Sequence, residues 1–225
     1  MSSDRASTVP LLSQSSFSVL LPFLGVESFK ILGLSSKISW WLGDLGSFLT
    51  VENDVARPLP TSLFLPEVPS RLARTSMNEW QVDGALLGVS RVLRTPFIAL
   101  HSTVICAPTS VEHDLRAKIG FGAGLTPEGD DEVAGFLIMA RALGISHSLD
   151  RSEWKNDRTT TFSAVLLDAA LYGFAIPVVA DAAREIALGA MTSRTQEALL
   201  AVGHSSGTAL LRGMETAQQC FRRAA

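Results

Sequence analysis

Two adjacent carboxylates, Asp130 and Asp131, close a glycine-rich run, Gly120-Phe121-Gly122-Ala123-Gly124-Leu125-Thr126-Pro127-Glu128-Gly129, and an almost entirely apolar stretch follows them. Thr126-Pro127 reads as a helix start, with threonine as N-cap and proline in the first helical position. Paired acids at a helix mouth have three functional uses: holding Mg²⁺ or a water-bridged metal, acting as a general base, or accepting substrate amide N–H groups. Their plain use is to complement the helix dipole, a matter of about 0.3–1 kcal/mol. The glycine turn adds backbone N–H groups which, with the open N–H groups of the next helix, make an anion cradle. The plain alternative is a tight helix–helix turn in which glycine supplies positive φ. Two carboxylates beside such a cradle repel phosphate unless a cation or donor intervenes, which favours an amide-type or metal-bridged ligand. On a helical wheel Asp130 lies beside Val133, Ala134 and Leu137, toward the packed side, while Asp131 sits about 100° away, nearer the rim.

Two further hydroxyl-rich loops precede helical segments. Gly203-His204-Ser205-Ser206-Gly207 fits the G-x-S-x-G string of a hydrolase elbow. That elbow follows a strand, whereas residues 197–202 read as the end of a helix. The histidines at 101, 113, 147 and 204 offer no triad arrangement either. Ser205 or Ser206 is expected to cap the next helix, and His204 reads equally as a proton-transfer group or a structural loop histidine. Arg158-Thr159-Thr160-Thr161-Phe162-Ser163 makes a third helix mouth, ordinarily just an N-cap. If Asp130, Ser163 and Ser205 converge, the three mouths line one pocket. The glycine run is not a dinucleotide fingerprint, because residues 111–119 before it read as helix where that motif needs a strand. Gly-Lys-Ser/Thr is absent, which excludes a Walker-type loop.

The elements that must position these residues fall into two styles. A loose tail is expected over residues 1–15. Over 16–107, short apolar runs at 18–21, 29–34, 38–42, 48–51, 62–65, 85–89, 97–100 and 104–106 alternate with turn residues, the pattern of a barrel-like or mixed β module. A short helix is expected at 72–78. Over 108–225 the period becomes helical. Thr109 and Glu112 resemble a capping box opening a helix that ends near Ile119, and helices follow at about 127–143, 162–174, 178–188, 195–202 and 208–221. The fold class is therefore α+β, strands first and a helical bundle after.

Composition narrows the function. The chain has 225 residues, 47% hydrophobic and 18% charged, with a net charge of −3 and arginines scattered singly. There is no basic stripe for nucleic acid. Cys106 and Cys220 have neither disulfide-framework nor zinc spacing, which fits a reducing cytoplasm. Residues 16–34 are apolar but broken by Pro22, Gly25, Glu27, Ser28 and Lys30, so neither a signal peptide nor a membrane span is expected.

Gly122-Ala123-Gly124-Leu125-Thr126-Pro127-Glu128-Gly129-Asp130-Asp131, followed by Ala134-Gly135, resembles the G-x-G-L-T-P-x-G-D-D signature of the AllH-like family. Thr159-Thr160-x-x-Ser163 and Gly203-His204-Ser205-Ser206-Gly207 resemble its other two motifs, in the same order. The chain departs from the pattern at Ala123, where proline is common, and at Glu132-Val133, where an aromatic–aliphatic pair is usual. The resemblance implies a bacterial subunit of an oxamate carbamoyltransferase, a complex that converts oxalurate and phosphate to oxamate and carbamoyl phosphate in ureide (allantoin) breakdown. It implies partner subunits, one similar to acyl-CoA synthetases. It marks Gly122, Gly124, Thr126, Gly129, Asp130, Asp131, Thr160, Ser163, His204, Ser205, Ser206 and Gly207. Of these, Asp130, Asp131 and His204 are expected to be catalytic and the others ligand-binding, with Mg²⁺ at the two aspartates if a metal takes part. The second reading is a ligand-binding or scaffolding module, for a small anion or ureide, with no chemistry of its own.

Overall fold

The computed structural model describes residues 16–18, 26–35, 38–44, 48–52, 59, 62–65, 67–76, 79–88, 91–93, 105–154 and 157–224. The expected tail over 1–15 and the runs at 19–21 and 97–100 lie outside the described residues. Among the described residues the fold is α+β, strands first and six α-helices after. It divides into two compact units, Met1–Arg94 and Thr95–Ala225.

Among the described residues of the first unit, nine strands form one mixed sheet curled into a half-barrel. They are β1 (Ser16–Ser18), β2 (Ser28–Leu34), β3 (Ile38–Gly43), β4 (Phe48–Glu52), β5 (Ser62–Phe64), β6 (Leu72–Ser76), β7 (Glu79–Val82), β8 (Ala85–Gly88) and β9 (Arg91–Leu93). Their order across the sheet is β8-β7-β6-β2-β3-β4-β5-β1-β9, parallel at β4–β5 and β1–β9 and antiparallel elsewhere. The two-residue period is plain in β3, which buries Ser39, Trp41 and Gly43 and leaves the residues between them half-exposed. Phe29, Trp41, Leu49, Leu63, Leu72 and Trp80 form the core, with the Phe29 and Trp80 rings 5.5 Å apart. Buried Glu52 is satisfied by the hydroxyls of Thr50 and Ser62, themselves 2.8 Å apart.

The helix expected at 72–78 is instead strand β6. Asp83-Gly84, with φ of 50° and 88°, is a two-residue hairpin turn that folds β8 back on β7. Asp83 also accepts the N–H groups of Ser70 (2.8 Å) and Arg71 (2.7 Å). β6 then pairs with both β7 and β2, and sheet pairing overrides local helical spacing.

The second unit is built around one helix. It comprises α1 (Thr109–Lys118), α2 (Glu128–Leu143), α3 (Thr161–Leu171), α4 (Pro177–Ala187), α5 (Ser193–Leu200) and α6 (Ser206–Ala224). A short parallel pair, β10 (Ile105–Cys106) with β11 (Ile145–Ser146), ties the entry of α1 to the exit of α2. α2 is buried at every position except Glu128 and Arg141, because α1, α3, α4 and α6 all pack on it. Past its acidic first turn the helix is apolar on nearly every side, as suits the centre of a bundle. Gly144, at φ 69°, ends it in the left-handed region. α6 approaches α2 backbone to backbone: a Cβ on Gly135 would lie 2.1 Å from the Leu210 carbonyl oxygen, and one on Gly213 1.9 Å from that of Glu132. No helix among the described residues is long and apolar enough to cross a membrane.

Two expected caps are differently made. Pro108, not Thr109, occupies the N-cap of α1, with no side-chain cap bond. Glu112 is drawn elsewhere, accepting from Ser148 N at 2.9 Å, from the Ser148 hydroxyl and from Arg116. Likewise Pro127 is the N-cap of α2, one residue later than expected, and Thr126 makes no cap bond.

Candidate functional site

The site grows from the turn between α1 and α2. The chain leaves α1 with Phe121 N bonded to Lys118 O at 2.8 Å, then returns so that Gly129 N reaches Phe121 O at 2.8 Å. Two glycines serve packing inside the protein. A Cβ on Gly120 would sit 1.9 Å from the Arg158 carbonyl oxygen, and one on Gly129 2.0 Å from that of Lys118. Gly124 differs: its φ of 98° demands glycine, yet a Cβ there would meet nothing within 4 Å.

Asp130 is almost wholly buried, and protein donors surround it. Gly120 N donates to Oδ1 at 2.7 Å, and the hydroxyls of Ser163 (2.6 Å) and Thr159 donate to Oδ2. Thr160 caps α3 by accepting Ser163 N at 3.0 Å, while its own hydroxyl donates to Leu125 O at 2.5 Å. The glycine turn and the Thr159–Ser163 mouth are thus knotted through one carboxylate.

Asp131 is buried as well, against the expectation that it lies near the rim, because α6 covers that side of the α2 mouth. Burial pushes its carboxyl up to about 6, and the charges of Asp130 and Glu128 push the same way; the hydroxyls of Ser206 and Thr126 hold it down. Those two hydroxyls lie 3.5 Å apart. Asp131 Oδ2 is buried with no hydrogen-bond partner among the described residues. A buried carboxylate oxygen without a donor is costly, and an amide, ammonium or water donor would relieve it.

The third mouth contributes in part. Ser206 reaches the Thr126 side of the site, and Gly207 is buried where a Cβ would lie 2.0 Å from Leu199 O. The G-x-S-x-G string is therefore a helix–turn–helix corner between α5 and α6. His204 and Ser205 are exposed on that corner, and no described bond joins either to Asp130 or Asp131. Gly122 and Gly124 are also exposed, on the turn itself. Among the described residues no group of three or more His, Cys, Asp or Glu side chains is arranged to hold a metal ion.

Several supporting residues escaped sequence reasoning. Arg116 bonds Glu153 at 2.7 Å and Ser148 at 2.7 Å, and Arg158 donates to Arg116 O at 2.9 Å. This network positions the segment leading to Thr159. Glu112 is held below its ordinary range: burial alone would raise it, but the bonds from Ser148 and the Arg116 charge prevail. The four-residue spacing of Glu112 and Arg116 was the available signal. On the other flank Lys118 pairs with Glu132, and Arg212 with Glu128 and Glu132.

No curated protein and no solved structure matches the chain. The segment that holds the glycine turn, both aspartates and all three helix mouths does find a relative: residues 118–218 match the family model of the oxamate carbamoyltransferase subunit AllH, whose name is that of one subunit among others in a complex.

Proposed function

We propose that this chain is a subunit of a carbamoyltransferase-type complex acting in the cytoplasm on a ureide such as oxalurate, and that the ureide meets Asp131. The observation that carries this reading is the donorless Oδ2 of Asp131, buried in the first turn of α2 beside the hydroxyls of Ser206 and Thr126. A ureide is rich in N–H donors, and one of them would complete that oxygen. In the proposed reaction phosphate attacks the carbamoyl carbon of oxalurate, the bond from that carbon to the oxamyl nitrogen breaks, and carbamoyl phosphate and oxamate result. The leaving nitrogen needs a proton. A carboxyl near 6 is suited to hold and return one close to neutral pH. Gly122, Gly124 and Thr126 would line the turn side, and Ser206 the α6 side. Asp130, Thr159, Thr160, Ser163 and Gly129 would hold the frame.

The test is Asp131→Asn in the assembled complex, read as carbamoyl phosphate formed from oxalurate and phosphate. A loss of about 10²-fold or more with assembly intact is expected. Full activity in that variant removes Asp131 from the chemistry. A non-catalytic ureide- or anion-binding module is the second reading, favoured by the exposed placement of His204 and Ser205 on the corner between α5 and α6. Tight oxalurate binding with no turnover in any mixture of subunits would select it.

A further inference from the structure

The starts of α2 and α6 meet beside Asp131. Thr126, just ahead of α2, and Ser206, the first residue of α6, bring their hydroxyl oxygens to 3.5 Å of each other. Both residues are half-buried, whereas Asp131 is only 8% exposed, and its partnerless Oδ2 marks where a ligand N–H would lie. The Ser206 position is fixed by α6, whose backbone is pressed against α2 at Gly135 and Gly213 and against α5 at Gly207. The Thr126 position is fixed by buried Pro127, which follows it at the N-cap of α2. A hydroxyl at a helix start is ordinarily a cap. Here α2 has no side-chain cap bond, so the Thr126 hydroxyl is not committed to its own helix.

Each hydroxyl has one proton to donate. While Asp131 is ionised it draws both, and they hold its carboxyl below the level that burial alone would set. Once Asp131 carries a proton that pull is gone, and both hydroxyls are free to donate elsewhere. Two donors 3.5 Å apart both reach a single oxygen at about 2.8 Å, the distance an oxyanion hole requires. The positive ends of two helices favour negative charge at that point. The two carboxylates whose charge reaches Asp131 are already engaged: Glu128 by Arg212, and Asp130 by Gly120, Thr159 and Ser163.

We propose that Thr126 and Ser206 are catalytic residues that together bind the carbamoyl oxygen of the ureide as it becomes negatively charged. This assignment rests on the reading of Asp131 as the acid of carbamoyl transfer and adds the two donors. As a phosphate oxygen bonds to the carbamoyl carbon, the carbonyl π pair moves onto its oxygen, and both hydroxyls donate to it. Collapse re-forms the carbonyl and breaks the bond from carbon to the oxamyl nitrogen, which takes the Asp131 proton. The carboxylate left behind draws both hydroxyls back, so the donors follow the negative charge from one oxygen to the next.

The experiment measures kcat and KM in the assembled complex carrying Thr126→Val, Thr126→Ser or Ser206→Ala, with oxalurate and with its thiocarbamoyl analogue. Thr126→Val and Ser206→Ala should each lower kcat by about 10²-fold and change KM for oxalurate by less than about threefold, because these donors act on the transition state. Thr126→Ser keeps the hydroxyl and should stay within about fivefold of wild type. Sulfur is the poorer acceptor, so wild type should prefer oxalurate, by a factor that shrinks about tenfold in Thr126→Val. Unchanged kcat in both hydroxyl-free variants, a loss confined to KM, or equal losses in Thr126→Val and Thr126→Ser would each overturn the assignment. So would a wild-type complex that turns over both substrates equally, a measurement that needs no variant to assemble. A fully active Asp131→Asn removes the proposed reaction itself; an inactive Asp131→Asn beside an undiminished Thr126→Val removes only the oxyanion pair.

Discussion

On one side of the α2 mouth, Asp130 gathers Gly120, Thr159 and Ser163 around both its oxygens; on the other, one sequence position away, Asp131 keeps an oxygen bare. Both are buried carboxylates at the same helix end, so burial and dipole do not separate them. What separates them is supply. The Asp130 side faces a loop and a helix mouth that bring a backbone N–H and two hydroxyls. The Asp131 side faces α6, which offers only Ser206 and, through the turn, Thr126. Asp130 is saturated by its own chain at both oxygens, and Asp131 is not.

Breaking the Asp130 side should have the largest effect. Asp130→Ala strands the Gly120 N–H and two hydroxyls and should cost roughly 3–5 kcal/mol, a fall in melting temperature on the order of 10 °C. A melt within 2 °C of wild type would mean that the knot holds nothing. Asp131→Asn should act with the opposite sign. The folded protein prefers Asp131 protonated, so its penalty is absent below the unfolded carboxyl value of 3.8 and complete only above about 6. The asparagine variant should therefore match wild type at pH 3.5 and gain up to roughly 3 kcal/mol above pH 6, measured by denaturant unfolding across that range. A loss of stability at pH 7 would show that Asp131 is as well supplied as its neighbour.

Smaller changes sharpen the contrast. Gly129→Ala pushes a methyl group against the Lys118 carbonyl oxygen and should cost about 1–3 kcal/mol, locating part of the Asp130 frame in the close approach of turn and helix. Ser205→Ala, on the exposed corner, should shift stability by less than about 0.5 kcal/mol and leave transfer activity unchanged. A large loss of activity there would reopen the third mouth as a reacting group.

The helical unit was legible from its sequence because its signals are local. Gly144 ends α2, Pro177 opens α4, Thr160 caps Ser163, and each does so with its nearest neighbours. The convergence of Asp130 with Ser163 was legible too, since three hydroxyl-rich mouths in one bundle have few places to go. Misreadings arose where a distant partner outbid a local one. Glu112 had a capping position available but is bonded by Ser148, thirty-six residues on. Residues 72–78 had helical spacing, but β2 and the Asp83-Gly84 hairpin impose a strand. The imbalance between Asp130 and Asp131 was not readable at all. A helical wheel ranks their depth, not the number of donors that reach them.

The close approach of α2 and α6 has a consequence for how firmly the two aspartates' surroundings are held. Gly135 and Gly213 each aim a Cα–H at the other helix's carbonyl, a reciprocal pair of C–H···O contacts worth about 0.5–1 kcal/mol each. Sliding one helix along the other would drive both glycines into backbone. The separation of the two helix backbones is therefore fixed, and the Ser206 hydroxyl that α6 carries is held beside Asp131 of α2.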